Sequence, residues 1–205
     1  MTAPVPGIVL AGGESRRLGR DKALVRLAGQ RLVDRVADRL APQVAALAIS
    51  RHDGRLAHPR PGATLLADAD GPRDGPLAGL LAGLDWAAGH HPAATHAVTV
   101  AVDAPFLPAD LVARLIAALD ATGAQACVAE SGGRRHPVAC LWPVAARHAL
   151  RDDLAREGSR RVGLFLDRFS PAVARWPALP SDPFHNINTA EDLAAAETIL
   201  ASTVL

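Results

Sequence analysis

Short, continuous apolar runs alternate along the chain with stretches in which apolar residues recur every three or four positions. Gly7-Ile-Val-Leu-Ala11 is apolar throughout and reads as a strand covered on both faces. Leu32, Val33, Val36, Ala37 and Leu40 fall at helical spacing, and Pro42 ends that run. Val44–Ile49 and Thr64–Ala67 read as a second and a third strand. Pro76 to Ala88 reads as a helix with proline in its first turn. Ala97–Val102 is a fourth buried strand, and Leu111, Val112, Leu115, Ile116 and Leu119 make one helical face. Ala126–Ala129 and Val138–Trp142 flank Gly132-Gly133 and are expected to pair across it. Two helical stretches, a strand near Val173 and a last helix from about Ala190 complete the pattern. Such alternation predicts an α/β three-layer sandwich, a mostly parallel sheet with helices on both faces. Ligands of such sheets bind at the carboxyl ends of the strands.

Composition narrows this picture without changing it. The 205 residues, 49% of them hydrophobic, suffice for one domain with its own core, and no linker divides residues 1–205. Twenty-two Lys and Arg against 21 Asp and Glu leave a net charge of +1, so no nucleic-acid partner is expected. Cys127 and Cys140 are the only cysteines. They exclude a disulfide scaffold or a Cys-x-x-Cys zinc site, and two buried thiols are expected. No apolar run is long enough to span a membrane and the start lacks a secretory pattern, so the expectation is a cytoplasmic chain without a membrane partner.

Candidate chemistry sits just after the expected strands. Gly12-Gly13 follows the first, with Arg16, Arg17, Arg20 and Lys22 close behind. Glycines let backbone amides approach an anion, and four cations suit a polyphosphate; the alternative is a basic surface loop. The segment is neither a Walker A loop (Asp21 precedes Lys22 and Ala23 follows it) nor a Gly-x-Gly-x-x-Gly turn. Asp68 follows the third strand and suits a nucleobase, a ribose or a plain turn. The small residues of Gly75-Pro-Leu-Ala-Gly79 read first as close helix packing. Asp103 follows the fourth strand, where a carboxylate can hold Mg2+ against phosphates or serve as a turn former. Asp110 is the expected cap of the next helix. Arg134-Arg135-His136 reads as a solvated hairpin tip or a second anion contact. Asn186 and Asn188 suit a heterocycle or sugar, or only a turn, ahead of a Thr189/Asp192 capping pair. No zinc ligand set and no nucleophile motif appears.

Taken together, these segments resemble the molybdenum cofactor guanylyltransferases, nucleotidyltransferases of Rossmann-like fold. The resemblance rests on Gly7-Ile-Val-Leu-Ala-Gly-Gly-Glu-Ser-Arg-Arg-Leu-Gly-Arg-Asp-Lys-Ala-Leu24. Asp68 ahead of Gly75-Pro-Leu-Ala-Gly79, Val102-Asp-Ala-Pro-Phe-Leu-Pro108, Arg135-His-Pro-Val138 and Asn186-Ile-Asn-Thr-Ala-Glu-Asp-Leu193 follow in order, so it spans about residues 7 to 200. It implies GTP as donor, Mg2+ as cofactor and the terminal phosphate of molybdopterin, with or without molybdenum, as acceptor. Leu10, Ala11, Gly12 and Gly13 would meet the nucleotide through backbone groups, and Asp68 would help hold the nucleoside. Lys22 and Arg17 would offset phosphate charge, Asp103 would ligate the metal, and Asn186 and Asn188 would lie near the pterin. Ser50 stands where many relatives carry Asn. Gly12-Gly13, rather than the Ala-Ala-Gly of cytidylyl-transferring cousins, points to guanine. Transient contacts with a molybdenum-insertion protein and with apo-molybdoenzymes are implied as well. The competing readings are a cytidylyltransferase on the same cofactor, a sugar-phosphate nucleotidyltransferase and a non-catalytic pterin carrier.

Overall fold

The computed structural model describes residues 5–12, 21–52, 54–68, 75–156 and 161–203. Nine strands and six α-helices are formed by these residues. In chain order they are β1 (Gly7–Leu10), β2 (Arg26–Leu27), β3 (Gln30–Arg31), α1 (Leu32–Leu40), β4 (Leu47–Arg51), β5 (Ala63–Ala67) and α2 (Pro76–His90). There follow β6 (His96–Ala101), α3 (Leu111–Thr122), β7 (Cys127–Ser131) and β8 (Arg134–Pro143). The last elements are α4 (Ala146–Ala155), α5 (Val162–Asp167), β9 (Ala172–Trp176) and α6 (Ala190–Thr203).

Seven strands form one sheet in the order β5-β4-β1-β6-β8-β7-β9. β5, β4, β1 and β6 run parallel. β8 runs antiparallel to both β6 and β7, and β9 parallel to β7. The expected α/β sandwich with a mostly parallel sheet is therefore present. Its strands are apolar at successive positions because both faces are covered. Ile8 packs toward α2, and Val9, next in sequence, packs toward α1 and α3. Ala48 and Ile49 of β4 divide in the same way.

The chain leaves β1 toward β4 on one side and leaves β6 toward β8 on the other. The boundary between β1 and β6 is thus the switch point of the sheet, where a crevice opens beyond the carboxyl ends. Because β8 is antiparallel, its first residues lie at this same edge. The turn that feeds them uses Gly132 (φ 55°) and Gly133 (φ 76°), the two left-handed positions of a two-residue hairpin, as the pairing expectation requires.

Several local expectations need correction. The second strand begins at Leu47 rather than Val44, because a 3-10 turn, Ala41–Gln43, follows α1 directly. Asp110 does not cap α3 with its side chain. Its carboxylate instead accepts from Trp176 Nε1 (2.9 Å) and pairs with Arg114 (2.7 Å). The Thr189/Asp192 capping pair forms as expected: Asp192 donates its amide to Thr189 Oγ1 (3.1 Å), and its carboxylate accepts from the Thr189 amide (2.9 Å). Both cysteines are buried free thiols, and burial pushes Cys127 up to about 11.

Candidate active site

At the carboxyl edge of the sheet, the candidate residues fall into a row that follows the strand order. Asp68 stands after β5, Ser50 ends β4, Gly12 follows β1, Asp103 follows β6, and Arg134 to Val138 open β8.

The β4–β5 end is a tight cradle. Ser50 is fully buried, and its hydroxyl donates to Asp68 Oδ1 at 2.6 Å. A Cβ at Gly12 would sit 3.0 Å from Asp68 Oδ2. A Cβ at Gly79, in the first turn of α2, would sit 3.0 Å from Ser50 Oγ and 3.2 Å from Asp68 Oδ1. These two glycines therefore keep the surroundings of the Asp68 carboxylate open. One turn on, a Cβ at Gly83 would meet Ile8 at 2.8 Å, so this part of the helix uses its glycine for packing. The Ala11 amide donates to the Ser50 carbonyl (2.8 Å), and the Leu10 carbonyl accepts from Val102 (3.1 Å). Both groups extend the sheet, and the exposed Gly12 follows them. Gly13 and Arg17 lie outside the described residues.

The centre of the row is a three-residue contact. Lys22 Nζ donates to Asp103 Oδ2 and to Asn188 Oδ1, each at 2.6 Å. Those residues come from three distant parts of the chain, and each is fixed locally. Asp21 caps the 3-10 turn Lys22–Leu24 by accepting from the Ala23 amide, and Arg51 pairs with Asp21 at 2.7 Å. The Asp103 carbonyl accepts from the Ile187 amide (2.9 Å). The Asp192 carboxylate accepts from the Asn188 amide (2.8 Å), which together with Thr189 holds that carboxyl below the usual range. Asp103 Oδ1, by contrast, is buried and has no hydrogen-bond partner among the described residues. A buried carboxylate oxygen left over in this way fits a cation ligand. Among the described residues no group of three His, Cys, Asp or Glu could hold a metal alone.

Beyond Asp103, toward β8, lies a cavity of about 170 Å3. Asp103, Arg134, Arg135, His136, Phe184 and Asn186 are among its lining residues. The ring of His136 stacks on Phe184 with centroids 4.6 Å apart. Asn186 and Asn188 thus part company: the first borders this cavity, the second holds Lys22. Sequence reasoning did not find Ser131 and Asp182, which support His136 from behind, because Ser131 lies within β7 and Asp182 well past the end of β9 rather than directly after a strand.

Residues 7–169 match the model of the MobA-like NTP transferase domain. A molybdenum cofactor guanylyltransferase from a Bradyrhizobium species is 48% identical over 201 residues, covering 98% of this chain and 95% of that protein. One from Rhodopseudomonas palustris is 45% identical over 195 residues, covering 95% and 93%. Among solved structures, the molybdopterin-guanine dinucleotide biosynthesis protein A of Archaeoglobus fulgidus superposes with a TM-score of 0.72 at 24% identity, covering 97% of this chain and all of that one. The 4-diphosphocytidyl-2C-methyl-D-erythritol synthase of Anaerococcus prevotii gives 0.73 at 12% identity, covering 97% and 96%, a likeness of fold.

Proposed function

The chain belongs to the MobA-like NTP transferase family, and from that premise we propose that it transfers GMP from GTP to the terminal phosphate of molybdopterin. The products are molybdopterin guanine dinucleotide and pyrophosphate. The observation that carries this reading is the order of the row: nucleoside cradle, Lys22–Asp103 centre, second cavity. Two substrates bound in that order would meet at the centre.

In this reading a phosphate oxygen of the acceptor attacks the α-phosphorus of GTP. The bond from that phosphorus to the bridging oxygen breaks, and its electron pair leaves with pyrophosphate. The attacking group is an anion at neutral pH, so the chain need supply no base. It supplies alignment and positive charge. Asp68, fixed by Ser50, takes donor groups of the nucleoside, and Gly12 and Gly13 bring backbone close to the phosphates. Lys22 and Arg17 offset charge on the departing β- and γ-phosphates. Asp103 would hold Mg2+, which when bound neutralises phosphate oxygens and orients them. Asn188 keeps Lys22 over Asp103, and Asn186 faces the acceptor.

The same reading places the chain in the cytoplasm, receiving molybdopterin through transient contact with a molybdenum-insertion protein and releasing product to apo-molybdoenzymes. Among the described residues no helix is long and apolar enough to cross a membrane. The test is binding of GTP, CTP, ATP and UTP with Mg2+, then pyrophosphate release on adding molybdopterin. GTP-selective binding with acceptor-dependent release is expected. CTP selectivity would move the activity to the cytidylyl branch, and absence of release would overturn the transfer.

A further inference from the structure

The wall of the second cavity contains a polar chain that phosphoryl transfer does not require. Ser131, the last residue of β7, is 2% exposed. Its hydroxyl donates to Asp182 Oδ1 at 2.7 Å, and His136 Nε2 lies 2.7 Å from that hydroxyl's oxygen, Ser131 Oγ. Asp182 Oδ1 also accepts from the Phe184 amide (2.9 Å). A serine hydroxyl has one proton to give. With that proton directed at the Asp182 carboxylate, the hydrogen between Ser131 and His136 must come from the ring. His136 is therefore the Nε2–H tautomer, and its Nδ1 carries a lone pair. Burial pushes the imidazole below the ordinary histidine range and Arg134 adds to this, while Asp182 and Glu130 act in the opposite sense. A second proton, on Nδ1, is thus disfavoured.

The ring itself is clamped. Phe184 stacks on it at an interplanar angle of 23°, and Trp176 meets Phe184 edge-on at 5.4 Å. Nδ1 has no hydrogen-bond partner among the described residues, on a ring that borders the cavity. Two separate segments, the end of β7 and the stretch after β9, thus converge to fix one tautomer, which a merely space-filling histidine would not need.

We propose that His136 is a specificity-determining residue for the acceptor, its Nδ1 accepting a hydrogen bond from an N–H of the acceptor's heterocycle. Ser131 and Asp182 are the positioning residues that hold the tautomer. The inference rests on reading this cavity as the acceptor site. A lone pair repels a phosphate dianion, so the acceptor's phosphate lies toward Lys22 and Asp103, and its ring system lies against His136. A pterin has the N–H groups this requires.

The test is steady-state kinetics at saturating Mg2+ and GTP, with molybdopterin varied, on His136→Phe, His136→Gln, His136→Asn and Ser131→Ala. Phe keeps the stacking and loses both nitrogens. Gln puts its amide near the Nε2 position, and Asn puts an acceptor near Nδ1. Phe and Gln are expected to raise KM for molybdopterin about 5- to 10-fold, the worth of one hydrogen bond, with KM for GTP unchanged. Asn restores most of the loss, and Ser131→Ala shifts KM in the same direction as Phe. In the wild-type chain, 15N spectra of the histidine rings should show His136 protonated at Nε2, with Nδ1 moving on titration with molybdopterin. An unchanged KM in the Phe variant, a protonated Nδ1 or an unmoved Nδ1 would overturn the proposal. A wild-type chain that binds molybdopterin with this Nδ1 shift but releases no pyrophosphate would uphold His136 and overturn the transfer reading.

Discussion

Lys22 places one positive charge against two oxygens, Asp103 Oδ2 and Asn188 Oδ1, at 2.6 Å each. The pair is nearly covered, with side-chain exposures of 19% and 14%, so its attraction is screened less than at a surface. Removing either partner leaves the other's charge only partly compensated. Asp103→Ala is expected to lower kcat on the order of 10^3-fold, since both the metal position and the lysine anchor go. The fold should survive, because the structural contact of Asp103 is its main-chain carbonyl to Ile187. Lys22→Ala should raise KM for GTP and lower kcat together, as it removes charge met by substrate and by leaving group. Pyrophosphate release measured beside thermal melting checks both. A wild-type rate in Asp103→Ala, or an unchanged kcat/KM in Lys22→Ala, would remove that residue from the site. At this scale Asp103 was legible because it follows an apolar strand directly, Lys22 because it closes a Gly-Gly loop dense in cations, and Asn188 because it stands just ahead of a helix capping pair. Their mutual contact was not, since it closes over 81 and 166 residues of chain. His136 was seen as part of a basic cluster and of the Arg135-His-Pro-Val138 segment, with no role of its own. Its meaning depends on Ser131 and Asp182, which periodicity does not single out.

One helix separates the requirements of site and core. Gly79 and Gly83 lie one turn apart on α2 and both face the sheet, but they meet different atoms. A Cβ at 79 crowds Ser50 and Asp68, and a Cβ at 83 crowds three atoms of the Ile8 side chain. Gly79→Ala should therefore raise KM for GTP several-fold with a small change in Tm, because a hydroxyl and a carboxylate must shift. Gly83→Ala should leave KM alone and lower Tm on the order of 5 °C, the effect of about 1–3 kcal/mol of overpacking in a chain of this size. If both variants lose only stability, Gly79 belongs to the core alone. Elements of this kind were readable because α2 begins at a proline and carries an apolar face against a strand without polar positions. The β2–β3 hairpin was not, because two-residue strands leave no period to detect. The early start given to β4 has a similar cause: Val44 to Ala46 are apolar but serve a connection, and apolarity alone does not separate connection from strand.

The molecule joins its site through a small third core set apart from the two that cover the sheet. Val25 and Leu27 from the β2 region, Leu32 at the start of α1, Ile187 ahead of α6 and Ala196 within it form one buried cluster, with Phe106 packed against it. These residues flank the segments that carry Lys22, Asp103 and Asn188. The cluster thus does for the site what the larger cores do for the sheet: it holds loops from residues near 22, 103 and 188 in one place. A small cluster outside the two sheet-covering cores opens more readily than the central strands, so site assembly and global folding should separate. Ile187→Ala removes a fully buried side chain at a cost of about 2–4 kcal/mol, felt first within this cluster. Hydrogen exchange should then quicken in α6 and in residues 22–32, while β1, β4 and β6 keep their protection. Nucleotide with Mg2+ should slow exchange in the same segments, since it binds only the assembled arrangement. The variant should accordingly show weaker GTP binding with a nearly intact sheet. Uniformly faster exchange across the sheet would instead mean that the three cores open as one unit, and that the site has no assembly step of its own.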